Sequence, residues 1–300
     1  MAHLSGLWRP LCCGCGGFNM EISVTVPASC GEMVQGYTKG QPFLVTFPIN
    51  RYAVATVRDD GAYARPDDWK SKAAMAKILA YYRCVHFPYS LYVTSAVPRS
   101  KGMASSSADM GAVFYAVASV LGKSLTPQEA AYLAASIEPT DGVFCPEFCQ
   151  LNYRTGQIWH IYEYVPFTVV MIDCGGTVDT IQFHQQEEKV YPIDREVLQA
   201  LQKPWTYETI GRAATASALA NQQILPKPRL PELIEAMVSL GAVGVNVAHS
   251  GTMIGVLFRP TTDLAGLTQT VRQKLQCLQY EGTYYDTVQT VRGGYSVTYN

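Results

Sequence analysis

The chain has 300 residues, of which 48% are apolar and 16% charged, and its 23 Lys and Arg side chains nearly balance its 24 Asp and Glu side chains. A chain of this composition can bury a sizeable core, and its near-neutral charge excludes a global field that would attract nucleic acid or an anionic membrane. We therefore expect neither kind of partner, and a polyanionic ligand has to be bound by local features.

The nine cysteines are an odd number, scattered through a chain too long to depend on disulfide bonds. Reduced thiols in a cytoplasmic protein are therefore expected. Residues 1–19 contain Pro10 and several glycines, so they have no apolar run long enough for a signal peptide or a membrane helix. We expect these residues to form a disordered leader before a folded region that begins at Met20.

Strands predominate in the first hundred residues. Apolar residues at positions 22, 24 and 26 alternate with polar ones, which predicts a half-buried strand that ends at Pro27. A turn-rich loop is predicted over residues 27–40. The patterns that follow predict strands at 43–49 and 52–58, a helix at 70–85 and a strand at 89–97.

Two helices in series are predicted in the next part of the chain. Apolar residues at helical spacing indicate one over residues 109–121. Thr126 and Glu129 form a capping box with Pro127 at the first helical position, which predicts a second helix that ends near Ile137. Residues 157–165 and 167–174 predict strands, the latter apolar enough to be covered on both faces.

The last third of the chain repeats this mixture on a smaller scale. Helices are predicted at 208–224, 232–240 and 264–278, and strands at 243–248, 253–258 and 284–291. The sequence has no internal repeat or flexible linker. We therefore predict an α+β protein with an N-terminal domain at residues 20–190 and a C-terminal domain at residues 191–300, packed closely together.

The segment PRSKGMASSSADM, residues 98–110, joins a predicted strand to a predicted helix. Gly and Ala allow close approach of a ligand, and the first N–H groups of a helix form an anion site. Serine hydroxyls suit phosphate or Mg²⁺ coordination, and Lys101 adds positive charge. The segment is neither GxxxxGK[ST] nor GxGxxG. The alternative is a simple serine cap, although one capping serine would suffice.

The same segment resembles the phosphate loop of the GHMP kinases, with its pattern P-x-x-x-G-[LM]-x-S-S-[AS]. PASCGE at 27–32 and HSGT at 249–252 lie where that family has its other motifs, so the resemblance spans most of the chain. It implies ATP and Mg²⁺ as cofactors and a small alcohol as acceptor. It also implies the GHMP kinase fold, with an N-terminal half like ribosomal protein S5, a ferredoxin-like C-terminal half and the active site in the cleft between them.

Within that family, PASCGEMVQG, KGMASSSAD and IEPTDGVF together resemble the L-threonine kinases of cobalamin assembly. The resemblance implies transfer of phosphate from ATP to the hydroxyl of free L-threonine. Catalytic roles are expected for Asp141, Glu138 and Lys101, and Ser106 and Glu138 are expected to bind Mg²⁺. The residues expected to bind the nucleotide are Pro98, Lys101, Gly102, Met103, Ala104, Ser105, Ser106 and Ser107. We expect a monomer or a homodimer.

Glu138 and Asp141 share a tight loop that ends the capping-box helix, because Pro139 cannot continue it. Phosphoryl transfer uses one carboxylate to hold Mg²⁺ and can use another to orient or deprotonate the attacking hydroxyl. The alternative is a solvated helix end with an Asp-Gly turn. Acids at a helix C-terminus oppose the helix dipole, which favours a functional explanation. Asp141 is therefore predicted either as the base or as a group that binds the acceptor.

Two further segments are predicted to bind the acceptor. The Glu32 carboxylate suits an ammonium group, and Cys30 is expected to be a small unreactive residue because no histidine is near it in sequence. For residues 249–252 the alternative is a hairpin turn. The full set is Ser29, Cys30, Gly31, Glu32, Asp141, Ser250, Gly251 and Thr252. A kinase for homoserine or a mevalonate-like alcohol, and a catalytically silent nucleotide-binding protein, stay open as alternatives.

Overall fold

Two long antiparallel strands, β1 (Glu21–Thr38) and β2 (Gln41–Arg58), form the centre of the sheet. The computed structural model describes residues 20–178, 199, 201 and 204–300. In these residues ten strands form one sheet in the order β5-β4-β2-β1-β7-β8-β6-β9, with β3 paired to β2 and β10 paired to β1. The other strands are β3 (Ser90–Ser95), β4 (Phe148–Asn152), β5 (Gln157–Tyr162), β6 (Thr168–Asp173), β7 (Gly244–Val247), β8 (Met253–Phe258), β9 (Thr283–Gln289) and β10 (Ser296–Tyr299).

Strand β1 continues through Pro27, so the predicted strand end and the predicted loop at 27–40 are wrong. Its pairing with β2 shifts register after Pro27, between Ser29 and Glu32, and again after Glu32. Proline has no N–H group to donate, and a bulge is one of the places in a sheet that tolerates this. Bulges also re-aim side chains, and these bulges lie within the segment predicted to bind the acceptor.

Six helices accompany the sheet in the described residues. They are α1 (Trp69–Tyr81), α2 (Ser105–Val120), α3 (Pro127–Ala135), α4 (Tyr207–Asn221), α5 (Leu230–Val238) and α6 (Leu264–Cys277). Each predicted helix is present, with ends shifted by a few residues. The capping box of α3 is confirmed, because Thr126 Oγ1 accepts from the Glu129 N–H and the Glu129 carboxylate accepts from the Thr126 N–H. Strands β4 and β10 have no counterpart in the sequence prediction, since both are short.

Helix α2 begins at Ser105, four residues before the predicted start, so the serines form its first turn. The N-cap is Ala104, in the left-handed region at φ +53°, and no side chain caps the helix. The alternative of a capping serine is therefore wrong. The helix is buried along most of its length, against α1 and against β1 and β2. This packing fixes the position of its N-terminus relative to the sheet.

The predicted boundary at residues 190 and 191 and the predicted leader at 1–19 lie outside the described residues. Strand β6, from the predicted N-terminal domain, pairs with β8 and β9 from the predicted C-terminal domain. It is buried along almost its whole length, which confirms that it is covered on both faces. Among the described helices, none is both long enough and apolar enough to cross a membrane.

Candidate active site

Three segments that are distant in sequence meet at the N-terminus of α2. The Gly31 N–H donates to the Gly102 carbonyl oxygen at 2.9 Å, which ties the bulged part of β1 to the loop before α2. The Thr252 N–H donates to the Lys101 carbonyl oxygen at 3.0 Å, which ties the turn between β7 and β8 to the same loop. The three motifs singled out in the sequence are therefore neighbours in the fold.

Two glycines make this contact possible. Gly102 has φ +81°, and a Cβ atom there would lie 2.2 Å from the Cβ of Ala248. A Cβ atom on Gly251 would lie 2.3 Å from the Lys101 carbonyl oxygen. Because both distances are far inside van der Waals contact, any side chain at either position would push the loop before α2 away from the turn at 248–252.

A cavity of about 440 Å³ opens at the N-terminus of α2. Since no side chain caps this helix, its first N–H groups and the positive end of its dipole are available to an anion. The serines of the first turn lie in the cavity wall together with acidic and basic side chains. The charged groups and the aromatic ring in the wall are Glu32, Asp68, Trp69, Lys70, Arg99, Asp109, Glu138 and Asp141.

Glu138 and Ser106, the two predicted metal ligands, lie on either side of one cation. The Lys70 ammonium is 2.7 Å from a carboxylate oxygen of Glu138 and 2.8 Å from the Ser106 hydroxyl. The Glu138 side chain is only 3% exposed. A carboxylate and a hydroxyl are hard oxygen donors of the kind that Mg²⁺ prefers, and both already converge on a positive charge. These two residues therefore fit a divalent cation.

Asp141 is half-buried near the same carboxylate, in the loop after α3. Burial raises the pKa of Asp141 to about 7, while a hydrogen bond from Thr46 opposes the increase and the charge of Glu138 adds to it. Thr46 also orients this loop, because its Oγ1 accepts from the Gly142 N–H at 2.8 Å. A carboxyl group with a pKa near neutrality is suited to accept a proton from a hydroxyl.

Glu32 approaches the site from the bulged part of β1 and is 7% exposed. One of its carboxylate oxygens accepts a hydrogen bond from the His249 N–H at 2.6 Å. Burial, followed by the charge of Asp141, raises the pKa of Glu32 well above its usual range. A positively charged ligand group beside these two acids would relieve both effects.

A second, smaller cavity of about 30 Å³ lies beside the larger one. The two cavities share the wall residues Glu32, Pro139, Asp141 and Ser250. The rest of the small cavity is lined by Leu44, Thr140, Tyr153 and His249. The site thus has a large compartment at the helix N-terminus and a small one, with Asp141 and Glu32 between them.

Comparison with known proteins identifies the family. The model of the GHMP kinases N terminal domain matches residues 70–145, and the model of the GHMP kinases C terminal domain matches residues 191–276. The chain is 31% identical to an L-threonine kinase of Salmonella typhimurium over 273 residues, which is 86% of this chain and 90% of that protein. It is 30% identical to an L-threonine kinase of Citrobacter freundii over 245 residues, with 77% and 84% covered.

The chain belongs to the GHMP kinases. A crystal structure of homoserine kinase from Cytophaga hutchinsonii aligns with a TM-score of 0.63 and 17% identity, covering 95% of this chain and all of that one. At that identity the likeness concerns the fold alone. The predicted family and the predicted GHMP kinase fold, with its N- and C-terminal parts, are confirmed.

Lys101, in the loop before α2 of this GHMP kinase, directs its side chain to the end of β6. Its ammonium donates to Asp173 at 2.7 Å and to the Gly176 carbonyl oxygen at 2.8 Å. The Thr252 hydroxyl donates to the other carboxylate oxygen of Asp173 at 2.6 Å. Asp173 thus organises two residues that the sequence assigned directly to ligands, and their roles in binding or catalysis stay predictions.

Several other predicted residues have buried or half-buried side chains. The Cys30 thiol is fully buried in a core cluster, where desolvation raises its pKa, as expected for an unreactive cysteine. The Ser29 side chain is also fully buried. Pro98 is half-buried in the turn before Arg99. Met103 packs into the same core as Cys30, while Ser105 and Ser106 line the large cavity.

A buried lysine supports the turn at 248–252 from behind. The Lys227 ammonium donates to the carbonyl oxygens of Gly251 at 2.8 Å and Ala248 at 3.4 Å. Lys227 is 4% exposed, and burial lowers its pKa to about 8 while the charges of Cys174 and Glu32 oppose that decrease. The carbonyl groups on both sides of Ser250 are thereby held in place.

Lys70, Thr46 and Lys227 were not predicted from the sequence as residues of the site. For Lys70 a signal was available, because Asp68 caps α1 and places Lys70 at the second helical position. A positive charge there opposes the helix dipole, so it calls for a tertiary explanation. Thr46 and Lys227 had no comparable signal, since their partners are backbone groups far away in sequence.

Proposed function

We propose that this protein is an ATP-dependent kinase that phosphorylates the hydroxyl group of free L-threonine. The observation that supports the proposal is the pair of adjacent cavities with Asp141 in the wall of each. The large cavity has the volume and the helix N-terminus that a triphosphate needs. The small cavity leaves room for only a few atoms, as the side chain of a small amino acid requires.

In the proposed reaction, the γ-phosphate lies at the N-terminus of α2, near Ser105 and Ser106. The acceptor hydroxyl lies beside Asp141, which orients it and takes its proton as the new O–P bond forms and the bond between the β- and γ-phosphates breaks, so that ADP leaves. Mg²⁺ on Ser106 and Glu138 would neutralise charge on the phosphate oxygens. The protein's own contribution is positioning, because GHMP kinase side chains hold both reactants without forming a covalent intermediate.

We assign the ammonium group of the acceptor to the Glu32 carboxylate. Burial and the charge of Asp141 both disfavour the ionised form of Glu32, and a positive partner would stabilise that form. Leu44 is apolar and lines the small cavity, so it is the residue we assign to the methyl group of threonine. The similarity to two L-threonine kinases supports this choice of acceptor. We further propose that phosphothreonine made here serves cobalamin assembly.

A panel of acceptors tests the proposal. Purified protein with Mg²⁺ and ATP is given L-threonine, L-serine, L-homoserine or mevalonate, and the phosphorylated product is identified by mass spectrometry. We expect phosphothreonine at the highest kcat/KM. Phosphohomoserine as the preferred product would favour the homoserine alternative, and nucleotide binding without any product would favour the silent homologue.

The Glu138→Ala variant provides the matched test of the metal assignment. We expect turnover to fall by about 10²-fold or more, since a bound metal supplies several kcal/mol of transition-state stabilisation. Circular dichroism and a thermal melt check that the variant is folded. Turnover at the wild-type level would remove Glu138 from the metal site.

A further inference from the structure

Lys70 connects the two metal ligands, although its position in the fold is unfavourable for a positive charge. It is the second residue of α1, where the helix dipole disfavours a cation. Its ammonium nevertheless contacts Ser106 on α2 and Glu138 after α3, and its side chain is 23% exposed. The pairing with Glu138 therefore outweighs the local repulsion.

Glu138 explains why a cation is needed when no ligand is bound. Its side chain is 3% exposed, and a buried carboxylate without a partner costs several kcal/mol. Mg²⁺ would neutralise its charge, and in the free protein the Lys70 ammonium at 2.7 Å does so. A lysine at this position and a metal ion therefore compete for the same two oxygen atoms.

The Lys70 ammonium is also close to where a second kind of partner, the phosphates of a nucleotide, would bind. It lines the large cavity beside Ser105 and Ser106, where the phosphates of a nucleotide would lie. A lysine ammonium is a mobile point charge on a flexible stem and binds phosphate well. A short movement of the side chain would take its charge from Glu138 to a phosphate oxygen.

We propose that Lys70 is a resident cation of the metal site, occupying the position between Ser106 and Glu138 in the free protein and moving to the phosphates when metal and nucleotide enter together. The inference rests on the proposed function, because that function assigns the metal to these two residues. Two consequences follow. The free protein binds a divalent cation weakly, and the metal and the nucleotide strengthen each other's binding.

Titration with Mn²⁺ in the absence of nucleotide tests the first consequence, with electron paramagnetic resonance reporting free Mn²⁺. We expect the Lys70→Met variant to bind Mn²⁺ about tenfold more tightly than the wild type, because the buried carboxylate has lost its resident partner. Lys72→Met is the control, since Lys72 is an exposed lysine on the same helix. The gain should disappear in the double variant Lys70→Met/Glu138→Gln.

Equal Mn²⁺ affinity of Lys70→Met and wild type would overturn the proposal, and so would an equal gain in Lys72→Met. A thermal melt checks folding. If Lys70→Met is unfolded, Lys70→Gln serves the same comparison, because its amide can donate to both oxygens but carries no charge.

Binding of ATP at saturating Mg²⁺, measured by calorimetry, tests the second position of Lys70. We expect ATP to bind Lys70→Met about tenfold more weakly than wild type, because the phosphates lose one charge-assisted contact. Unchanged ATP affinity would overturn this part. Neither measurement involves phosphate transfer, so a wild-type protein that fails to phosphorylate threonine would contradict the proposed function and leave the Mn²⁺ result to decide on Lys70.

Discussion

The Ser107 hydroxyl accepts a hydrogen bond from the Asp141 N–H at 3.0 Å and shares a second one with Thr140 Oγ1, also at 3.0 Å. Ser107 is in the first turn of α2, at the N-terminus that lines the large cavity, whereas Asp141 belongs to the loop that lines both cavities. The third serine of the motif therefore connects the N-terminus of α2 to the loop of Asp141, so a shift of the helix N-terminus would displace the carboxylate.

Replacing Ser107 by alanine should separate catalysis from nucleotide binding. The buried Asp141 N–H loses its acceptor, which costs about 1–3 kcal/mol, and the loop relaxes away from its present position. We expect kcat with threonine to fall by about tenfold while KM for ATP stays within about threefold, as measured by steady-state kinetics. Ser119→Ala, near the other end of α2, is the control and should behave as wild type. A rise in KM for ATP as large as the fall in kcat would show that Ser107 contacts the phosphates instead.

Substituting Asp141 by asparagine distinguishes a base from a binding group. The amide keeps the shape of the side chain and its contact with Thr46, but it does not accept the proton of the acceptor. If Asp141 is the base, kcat should fall by about 10²-fold or more with KM for threonine nearly unchanged. A large rise in KM with kcat preserved would identify Asp141 as a binding group.

The raised pKa of Asp141 also predicts how stability depends on pH in the absence of ligands. The folded protein holds this proton up to pH about 7, whereas an unfolded aspartate releases it near pH 3.8. The stabilisation from the neutral carboxyl is therefore complete below the unfolded pKa and is lost as the pH rises through 7. The raised pKa of Glu32 acts in the same direction, while Lys227, whose pKa is about 8, begins to lose its proton only at the upper end of this range.

Urea unfolding of wild type and Asp141→Asn between pH 4 and 8 measures this effect. Asparagine resembles the neutral carboxyl, so the variant should be more stable than wild type at pH 8 by about 2 kcal/mol, the value for a pKa difference of this size after allowing for partial exposure. The difference should shrink towards pH 4. A difference that does not change with pH would show that Asp141 is not neutral in the folded protein.

The sequence predicted correctly those elements whose determining residues lie close together in the chain. Thr126, Pro127 and Glu129 fix the start of α3 within four residues of sequence, and the helix begins where they indicate. The segment before α2 was predicted to be an anion site for the same reason, since small residues before a helix N-terminus favour anion binding wherever they occur.

Long-range contacts account for what sequence patterns missed. A local reading ends β1 at Pro27, but pairing with β2 carries the strand across three register shifts. Likewise, only the fold shows that Gly251 meets the Lys101 carbonyl and that Lys101 is directed to Asp173. Residues whose partners lie more than fifty positions away, such as Thr46 and Asp141, have no sequence pattern that links them.

Substituting Lys227 by methionine should weaken the site without unfolding the protein. Methionine fills much of the same space, and it removes the cost of burying a charge whose hydrogen bonds go to carbonyl oxygens. The carbonyls of Gly251 and Ala248 lose their donor, however, so Ser250, which lines both cavities, is no longer held in place. We expect kcat/KM to fall by about tenfold for ATP and for threonine, with the melting temperature within a few degrees of wild type.

Lys123→Met, which replaces an exposed lysine after α2, is the control. Wild-type kcat/KM in Lys227→Met would show that the turn at 248–252 keeps its shape through the backbone contacts of Lys101 and Thr252 alone.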